Sequence, residues 1–396
     1  MDKAILGLAL VQSASAQGTV SLPLAYKYGT ASTQILTEIS LGTPAGTTLD
    51  IVADTGSANF WIFGPNATVN YGSTFLGEQG PCNQTAIPYY NNSASTSATD
   101  PATFSSIIYS YGGNSKQITV DQSVNDTLHA SFPATTEDIP DVRVAVSEYA
   151  LYRQGDDGSC TGITHETGIM GLSPHVNSTE GPSFRQDLFD TGKIGAEILS
   201  MWFERNDGPI NATLRGTALF GAVDDTKYTG ELVRVPRVGS QSAYYVNTPA
   251  VVLNGNSVQL DNETTECLVD SGSLDDTLPY TNETEFLAKS GLVLSNGYVS
   301  YPSPCEDIPA DKTIDYTFKG AEAGEAVTVQ IPLRNYARGA GAIFNDTQNC
   351  PLQISQGFDS CTLAAAFFTG AFFAVDDAAG SLSLAQGGLP GSFAEY

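Results

Sequence analysis

The sequence predicts a mainly β protein with a few short helices, folded as two lobes. Three observations carry this. Only 15% of the 396 residues are charged, and 39 Gly and 20 Pro interrupt short β-branched and aromatic runs at even intervals, as in strands joined by turns. The length exceeds the roughly 250 to 300 residues at which a single core stops growing. An apolar run ending in an acidic residue at Asp54 also has a counterpart ending at Asp270, one for each half of the chain.

The elements follow in order. Residues 1–16 place a lysine before an apolar run from Ala4 to Val11 and end in Ala14-Ser15-Ala16, the layout of a secretory signal. The polar, Gly/Pro-containing stretch ERNDGPINATLRG at 204–216 lies between the two acidic motifs, so the rest divides into an N-terminal lobe over 17–210 and a C-terminal lobe over 211–396. ILTEISLGTP at 35–44 reads as a strand closed by a Gly-Thr-Pro turn, and TLDIVAD after it reads as a buried strand that delivers Asp54. The Ser/Asn/Thr-rich stretches at 64–103 and 119–140 read as long surface excursions. SFRQDLFDTGKIG at 183–195 predicts a short helix capped by Ser183, and NETEFLAKSG predicts another that runs from Asn282 to a stop at Gly291. TLAAAFFTGAFFAV at 362–375, the longest apolar stretch, falls short of the roughly 20 residues needed to span a bilayer and reads as a buried strand. AQGGLPGSFAEY closes the sequence without a hydrophobic tail for a lipid anchor, so no membrane anchor is expected.

Charge and cysteine usage narrow the class. Lys and Arg number 17 against 43 Asp and Glu, a net charge of −26 that would repel a phosphate backbone and argues against nucleic acid as a partner. Nine Asn-X-Ser/Thr acceptors, at Asn66, Asn83, Asn91, Asn125, Asn177, Asn211, Asn262, Asn282 and Asn345, fit an exported, glycosylated surface. The six cysteines (Cys82, Cys160, Cys267, Cys305, Cys350 and Cys361) lack the C-x-x-C spacing of a metal or redox site and read as disulfides, with all pairings open at this point.

VADTGSANFW and LVDSGS carry the chemistry. Turn N–H groups can bond each carboxylate, Gly56 and Gly272 permit close approach of another segment, and Ser57 and Ser273 can fix the outer oxygens of Asp54 and Asp270. Two carboxylates about 3 Å apart cannot both ionise, so they share a proton, one acting as base and the other as acid. Such a pair can draw a proton from water while protonating a peptide carbonyl. His129, His165 and His175 occur without a His-x-x-x-His pair, and there is no Gly-x-Ser-x-Gly elbow, so neither a zinc protease nor a serine hydrolase is indicated. No metal or organic cofactor is implied.

On these motifs the sequence resembles the pepsin-like aspartic endopeptidases, secreted and fungal in type, from about residue 33 to 386. ISLGTP with DIVADTGSANFW resembles the first catalytic segment, and CLVDSGS the second. YSYGGNS resembles the flap, with Tyr111-Gly112 at the family's Tyr-Gly. TGIMGL at 167–172 resembles the segment behind the first catalytic loop, and GTALFGAVDDTKYTGELVRVP at 216–236 the entry to the second lobe. The resemblance implies an all-β bilobal fold with the cleft between the lobes. It further implies Asp54 and Asp270 as the catalytic pair, Tyr111 closing over substrate and bonding toward Trp61, an extended peptide with mainly apolar side chains in the central pockets, and a monomer. Cys305 with Cys350 resembles the family's second-lobe bridge. Cys267 and Cys361, just before the second Asp motif and the altered segment after it, are paired beside it, which leaves Cys82 with Cys160.

The second half departs from the family pattern. Leu274, Asp275 and Asp276 follow DSGS where a hydroxyl residue and apolar residues are usual, placing two further carboxylates near the cleft or in solvent. Ala364 and Ala365 stand where the family has Gly-Asp, and the Ala364 methyl is expected to push its segment away from the Asp270 loop. Residues 17 to about 33 leave little room for an inhibitory propeptide. The expectation is a secreted aspartic endopeptidase working in acid on peptide or protein substrates, extracellular or held in an acidic vacuolar compartment. Its alternatives are a catalytically weak or inactive pepsin-like binding or inhibitor protein, and a two-carboxylate glycosidase, which needs carboxyls about 5 Å or more apart.

Overall fold

The computed structural model describes residues 18–27, 34–72, 82–113, 115–131, 136–153, 166–176, 180–205, 208–210, 212–261, 263–337 and 348–389. The leader, Cys160, His165 and the acceptors Asn177, Asn211, Asn262 and Asn345 lie outside the described residues.

One large sheet runs through both lobes of this all-β fold. Val20–Tyr26 alternates buried and half-buried positions, so one face meets the core, and it pairs antiparallel with Leu214–Phe220 from Val20 opposite Phe220 to Tyr26 opposite Leu214. Ile198–Phe203 joins Leu214–Phe220 on one side and Ala371–Asp376 on the other, so strands from both ends of the chain share a sheet beneath the cleft. Leu49–Asp54 lies between Ile35–Leu41, antiparallel, and Gly168–Gly171, parallel. Covered on both sides, it needs the nearly continuous apolar run that the sequence shows. In the second half, Glu266–Val269 runs parallel to Thr362–Leu363, reproducing the arrangement around Asp54.

Three readings of local structure change. Residues 119–140 are not a surface excursion: most lie in the long antiparallel strands Lys116–Ser131 and Thr136–Arg153. Val120, Val124, Leu128, Ala130 and Ile139 are buried, and the intervening polar residues that made the stretch look like a loop mostly occupy the other face. The start and end of 64–103 likewise belong to strands Phe60–Gly72 and Ala102–Tyr111. TLAAAFFTGAFFAV is not one strand: Thr362–Leu363 is followed by a helical turn at Ala365–Phe368 before the strand Ala371–Asp376. The helices at Phe184–Asp190 and Glu283–Ser290 do form, with Ser183 Oγ accepting from Gln186 N, Asn282 Oδ1 accepting from Glu285 N, and Gly291 left-handed at φ 71°.

A second apolar cluster, separate from the main core, fixes the flap. Trp61, Phe63, Tyr109, Ile118, Tyr152 and Ile169 pack together, with Tyr111 against them.

Candidate active site

The buried strand Leu49–Asp54 ends at Asp54, and Glu266–Val269 runs into Asp270. The two turns that follow repeat the same bonds. Gly56 N donates to Asp54 Oδ1 at 2.8 Å and Ser57 Oγ to Oδ2 at 2.5 Å, while Gly272 N donates to Asp270 Oδ1 at 2.8 Å and Ser273 Oγ to Oδ2 at 2.7 Å. The Oδ1 atoms face inward: a Cβ on Gly56 would stand 2.5 Å from Asp270 Oδ1, and one on Gly272 2.4 Å from Asp54 Oδ1. Only glycine fits at either place.

Thr55 and Ser271, both fully buried, lock the loops across the lobe boundary. Thr55 Oγ1 donates to Val269 O at 2.9 Å and Ser271 Oγ to Ala53 O at 2.6 Å, and each hydroxyl also accepts the other residue's backbone N–H. Asp54 is 5% exposed and hydrogen-bonds the Asp270 carboxyl. Burial pushes its pKa well above the ordinary range, and the Asp270 charge and the shared bond push it further. The Ser57 and Gly56 donors oppose the shift.

The segments behind the loops are tied to them. Leu172 N donates to Asp54 O at 2.7 Å, Asp270 N to Leu363 O at 2.9 Å, and Ala365 N to Ser273 O at 3.2 Å. The Ala364 methyl therefore does not displace its segment; Ala364 is fully buried with these bonds intact. The two added carboxylates separate. Asp275 lines the cleft, whereas Asp276 turns into the core, where Oδ1 accepts from Ala364 N at 2.6 Å and Oδ2 from the hydroxyls of Tyr316 at 2.5 Å and Tyr336 at 2.7 Å. Burial raises Asp276 to about 7, against the effect of these three donors.

The flap is the hairpin from Ala102–Tyr111 into Lys116–Ser131, and it turns at Gly112 and Gly113 with φ of 52° and 63°. Trp61 Nε1 donates to Tyr111 Oη at 2.9 Å. Burial first, and the Asp54 charge next, hold the Tyr111 phenol well above its usual pKa. A cleft of about 730 Å³ runs past Asp54, Asp270, Ser57, Tyr111, Gly112 and Ser273. It is also lined by Gln34, Lys116 and Glu166, which no local motif marks in the sequence. Gln34, 6% exposed, donates through Nε2 to Gly272 O at 3.1 Å, and its Oε1 has no partner among the described residues. Neither His129 nor His175 lines this cleft.

The sequence profile of the eukaryotic aspartyl protease family matches residues 34–387, a span that takes in both Asp motifs and the flap. The chain belongs to that family. Among curated relatives it is 26% identical over 293 residues to cathepsin D of Dictyostelium discoideum, covering 72% of this chain and 66% of that protein. It is 24% identical over 287 residues to gastricsin of Homo sapiens, covering 72% and 65%, and 28% identical over 254 residues to vacuolar protease A of Aspergillus fumigatus, covering 63% and 54%. The chain thus spans just under two thirds of the length of the first relatives it matches.

In this member of the aspartyl protease family, Cys267 is bridged to Cys361 and Cys305 to Cys350. The first bridge ties the strand before Asp270 to the segment that accepts its N–H. The Cys82–Cys160 pairing lies outside the described residues. Asn66, Asn83, Asn91 and Asn282 are exposed, and Asn125 is half-buried with Nδ2 on Asp141 Oδ1 at 2.7 Å. Among the described residues no helix is long and apolar enough to cross a membrane.

Proposed function

We propose that the protein hydrolyses internal peptide bonds in acid, with Asp54 and Asp270 activating a water between them. The observation that carries this reading is the repeated pair of turns, in which each outer oxygen is held by a serine while each inner oxygen packs against the other turn's glycine. With one proton on the pair, the ionised carboxylate takes a proton from water as the new O–C bond forms, and the protonated partner gives its proton to the carbonyl oxygen. The tetrahedral diol then breaks its C–N bond as the carboxyl that took the water proton gives it to the amine and its partner carboxylate takes the proton of a diol hydroxyl, which releases acid and amine and returns the pair to one proton. No covalent intermediate is needed. The packing of each inner oxygen against the other turn's glycine favours this reading over a paired-carboxylate glycosidase, which needs carboxyls about 5 Å or more apart.

The substrate in this reading is an extended peptide beneath Tyr111, held by backbone hydrogen bonds. Ser57, Ser273, Gly56 and Gly272 set the dyad, while Trp61, Tyr111 and Gly112 set the flap. The protein acts as an exported monomer whose leader is residues 1–16 and whose lobes are 17–210 and 211–396, glycosylated and either released or held in an acidic vacuole.

The test is hydrolysis of a denatured protein between about pH 3 and pH 6, around ordinary carboxyl pKa values, with and without a statine-type transition-state inhibitor. Cleavage that the inhibitor blocks is the expected result. Absence of cleavage by folded, processed protein throughout that range would overturn the reading.

A further inference from the structure

Resting on the peptide-site reading above, we propose that the flap-side pocket of the cleft selects an uncharged, hydrogen-bonding substrate side chain of the carboxamide class, and that the Lys116–Glu166 ion pair determines this specificity. The mainly apolar pockets implied by the family resemblance do not extend to this wall.

Lys116 Nζ lies 2.5 Å from Glu166 Oε1, and the two side chains keep 18% and 11% of their surface exposed. Both line the same cleft as Asp54, Tyr111 and Ile169, so a side chain entering beneath the flap meets the pair. The other carboxylate oxygen of Glu166 accepts from Tyr152 Oη at 3.1 Å, which holds the acid in place. Lys116, opposite Tyr111 at the turn end of the flap, lies over the rings of Tyr111 and Tyr152, 5.9 and 5.5 Å from their centroids, which holds the ammonium beside the Tyr111 ring. An ammonium carries three donors, and among the described residues Lys116 spends its one hydrogen bond on Glu166.

A large apolar side chain seated here would strip water from both charges and replace none of its hydrogen bonds, the situation in which a polar site rejects an apolar analogue. With Lys116 and Glu166 neutralising each other at 2.5 Å, a substrate carboxylate would set its charge beside Glu166 and face Asp275 and the charge shared by Asp54 and Asp270, and a substrate ammonium would compete with Lys116 for Glu166. A carboxamide avoids both, since its carbonyl accepts from Lys116 and its NH₂ donates toward Glu166. Glu166 stays ionised for this role despite its burial, because Lys116 holds its carboxyl below the usual range.

The experiment uses four statine-type inhibitors carrying a leucine-like or a glutamine-like side chain at each of the two positions flanking the hydroxyl. Their binding is measured by titration calorimetry at pH 4, so turnover is not required. At one position the glutamine-like side chain is expected to bind about tenfold more tightly than the leucine-like one, the worth of one hydrogen bond to a charged group. That gain should vanish in Lys116→Met/Glu166→Leu and shrink in Lys116→Met alone, with thermal melting confirming that each variant is folded. Leucine-like side chains bound as tightly at both positions, or a preference that survives in both variants, would overturn the specificity proposal while leaving the peptide-site reading intact. Failure of every inhibitor to bind folded wild type would overturn the peptide-site reading, and the specificity proposal with it.

Discussion

Thr55 and Ser271 hold each other across the two lobes: Thr55 N donates to Ser271 Oγ at 2.9 Å, and Ser271 N donates to Thr55 Oγ1 at 2.9 Å. Each hydroxyl also donates to a backbone carbonyl in the opposite half, so the Asp54 and Asp270 loops form one unit. Thr55→Val keeps the shape but leaves Ser271 N–H and Val269 O buried and unpaired, at about 1–3 kcal/mol each. Urea unfolding should show a loss of that order. Thr55→Ser should recover most of it, and a Val variant as stable as wild type would show that the exchange contributes nothing.

The Trp61–Tyr111 bond gives a second prediction. Trp61 is fully buried, so Tyr111→Phe strands its indole N–H and frees the ring from the position that the bond fixes. We expect kcat/KM for peptide hydrolysis to fall about tenfold, with a melting temperature lowered by a few degrees. Unchanged kinetics would remove Tyr111 from the substrate-closing role.

Stability should depend on pH through buried carboxyls. Asp276 rises from the ordinary 3.8 to about 7 and Asp187 to about 6, both chiefly by burial, and Asp54 is raised as well. Between about pH 4 and pH 7 the native state therefore binds more protons than the unfolded chain, so stability is full below the unfolded pKa and is lost as pH rises through the native values. For Asp276 alone the loss is on the order of 4 kcal/mol at most. Melting temperature should fall from pH 4 to pH 7, and Asp276→Asn, which can still accept from Ala364 N, should flatten that fall. An equally steep fall in the variant would place the titration elsewhere.

The Cys267–Cys361 bridge closes a separation of 94 residues and joins the strand before Asp270 to its supporting segment. Replacing both cysteines with alanine should cost about 2–5 kcal/mol, read by thermal unfolding, and should lower activity of the folded fraction because the Asp270 N to Leu363 O bond loses its tether. Full activity in the folded fraction would limit the bridge to stability.

What the sequence disclosed and what it hid follow the range of the interactions. The turns after Asp54 and Asp270 are built from residues two and three positions away, so their chemistry can be read locally, as can the Ser183 and Asn282 caps. Asp276 could not be placed: a second acid beside Asp275 reads as solvated, and its hydroxyl partners stand 40 and 60 residues later. Lys116 and Glu166 are 50 residues apart and each looks like an ordinary surface charge. Residues 119–140 carried a legible alternation of Val120, Val124, Leu128 and Ala130, but their polar content masked it. The turn at Ala365–Phe368 is four residues long, too short for a helical period to show.

The central claim is that Asp54 and Asp270 share one proton and that both protonation states are used. The most direct measurement is the pH dependence of kcat/KM for a defined peptide, in wild type and in Asp54→Asn and Asp270→Asn. A bell-shaped profile with two apparent pKa values belonging to the pair, and a loss of about 10²-fold or more in each variant, is the predicted result. A single-limbed profile, or substantial activity retained in either variant, would contradict the shared-proton mechanism.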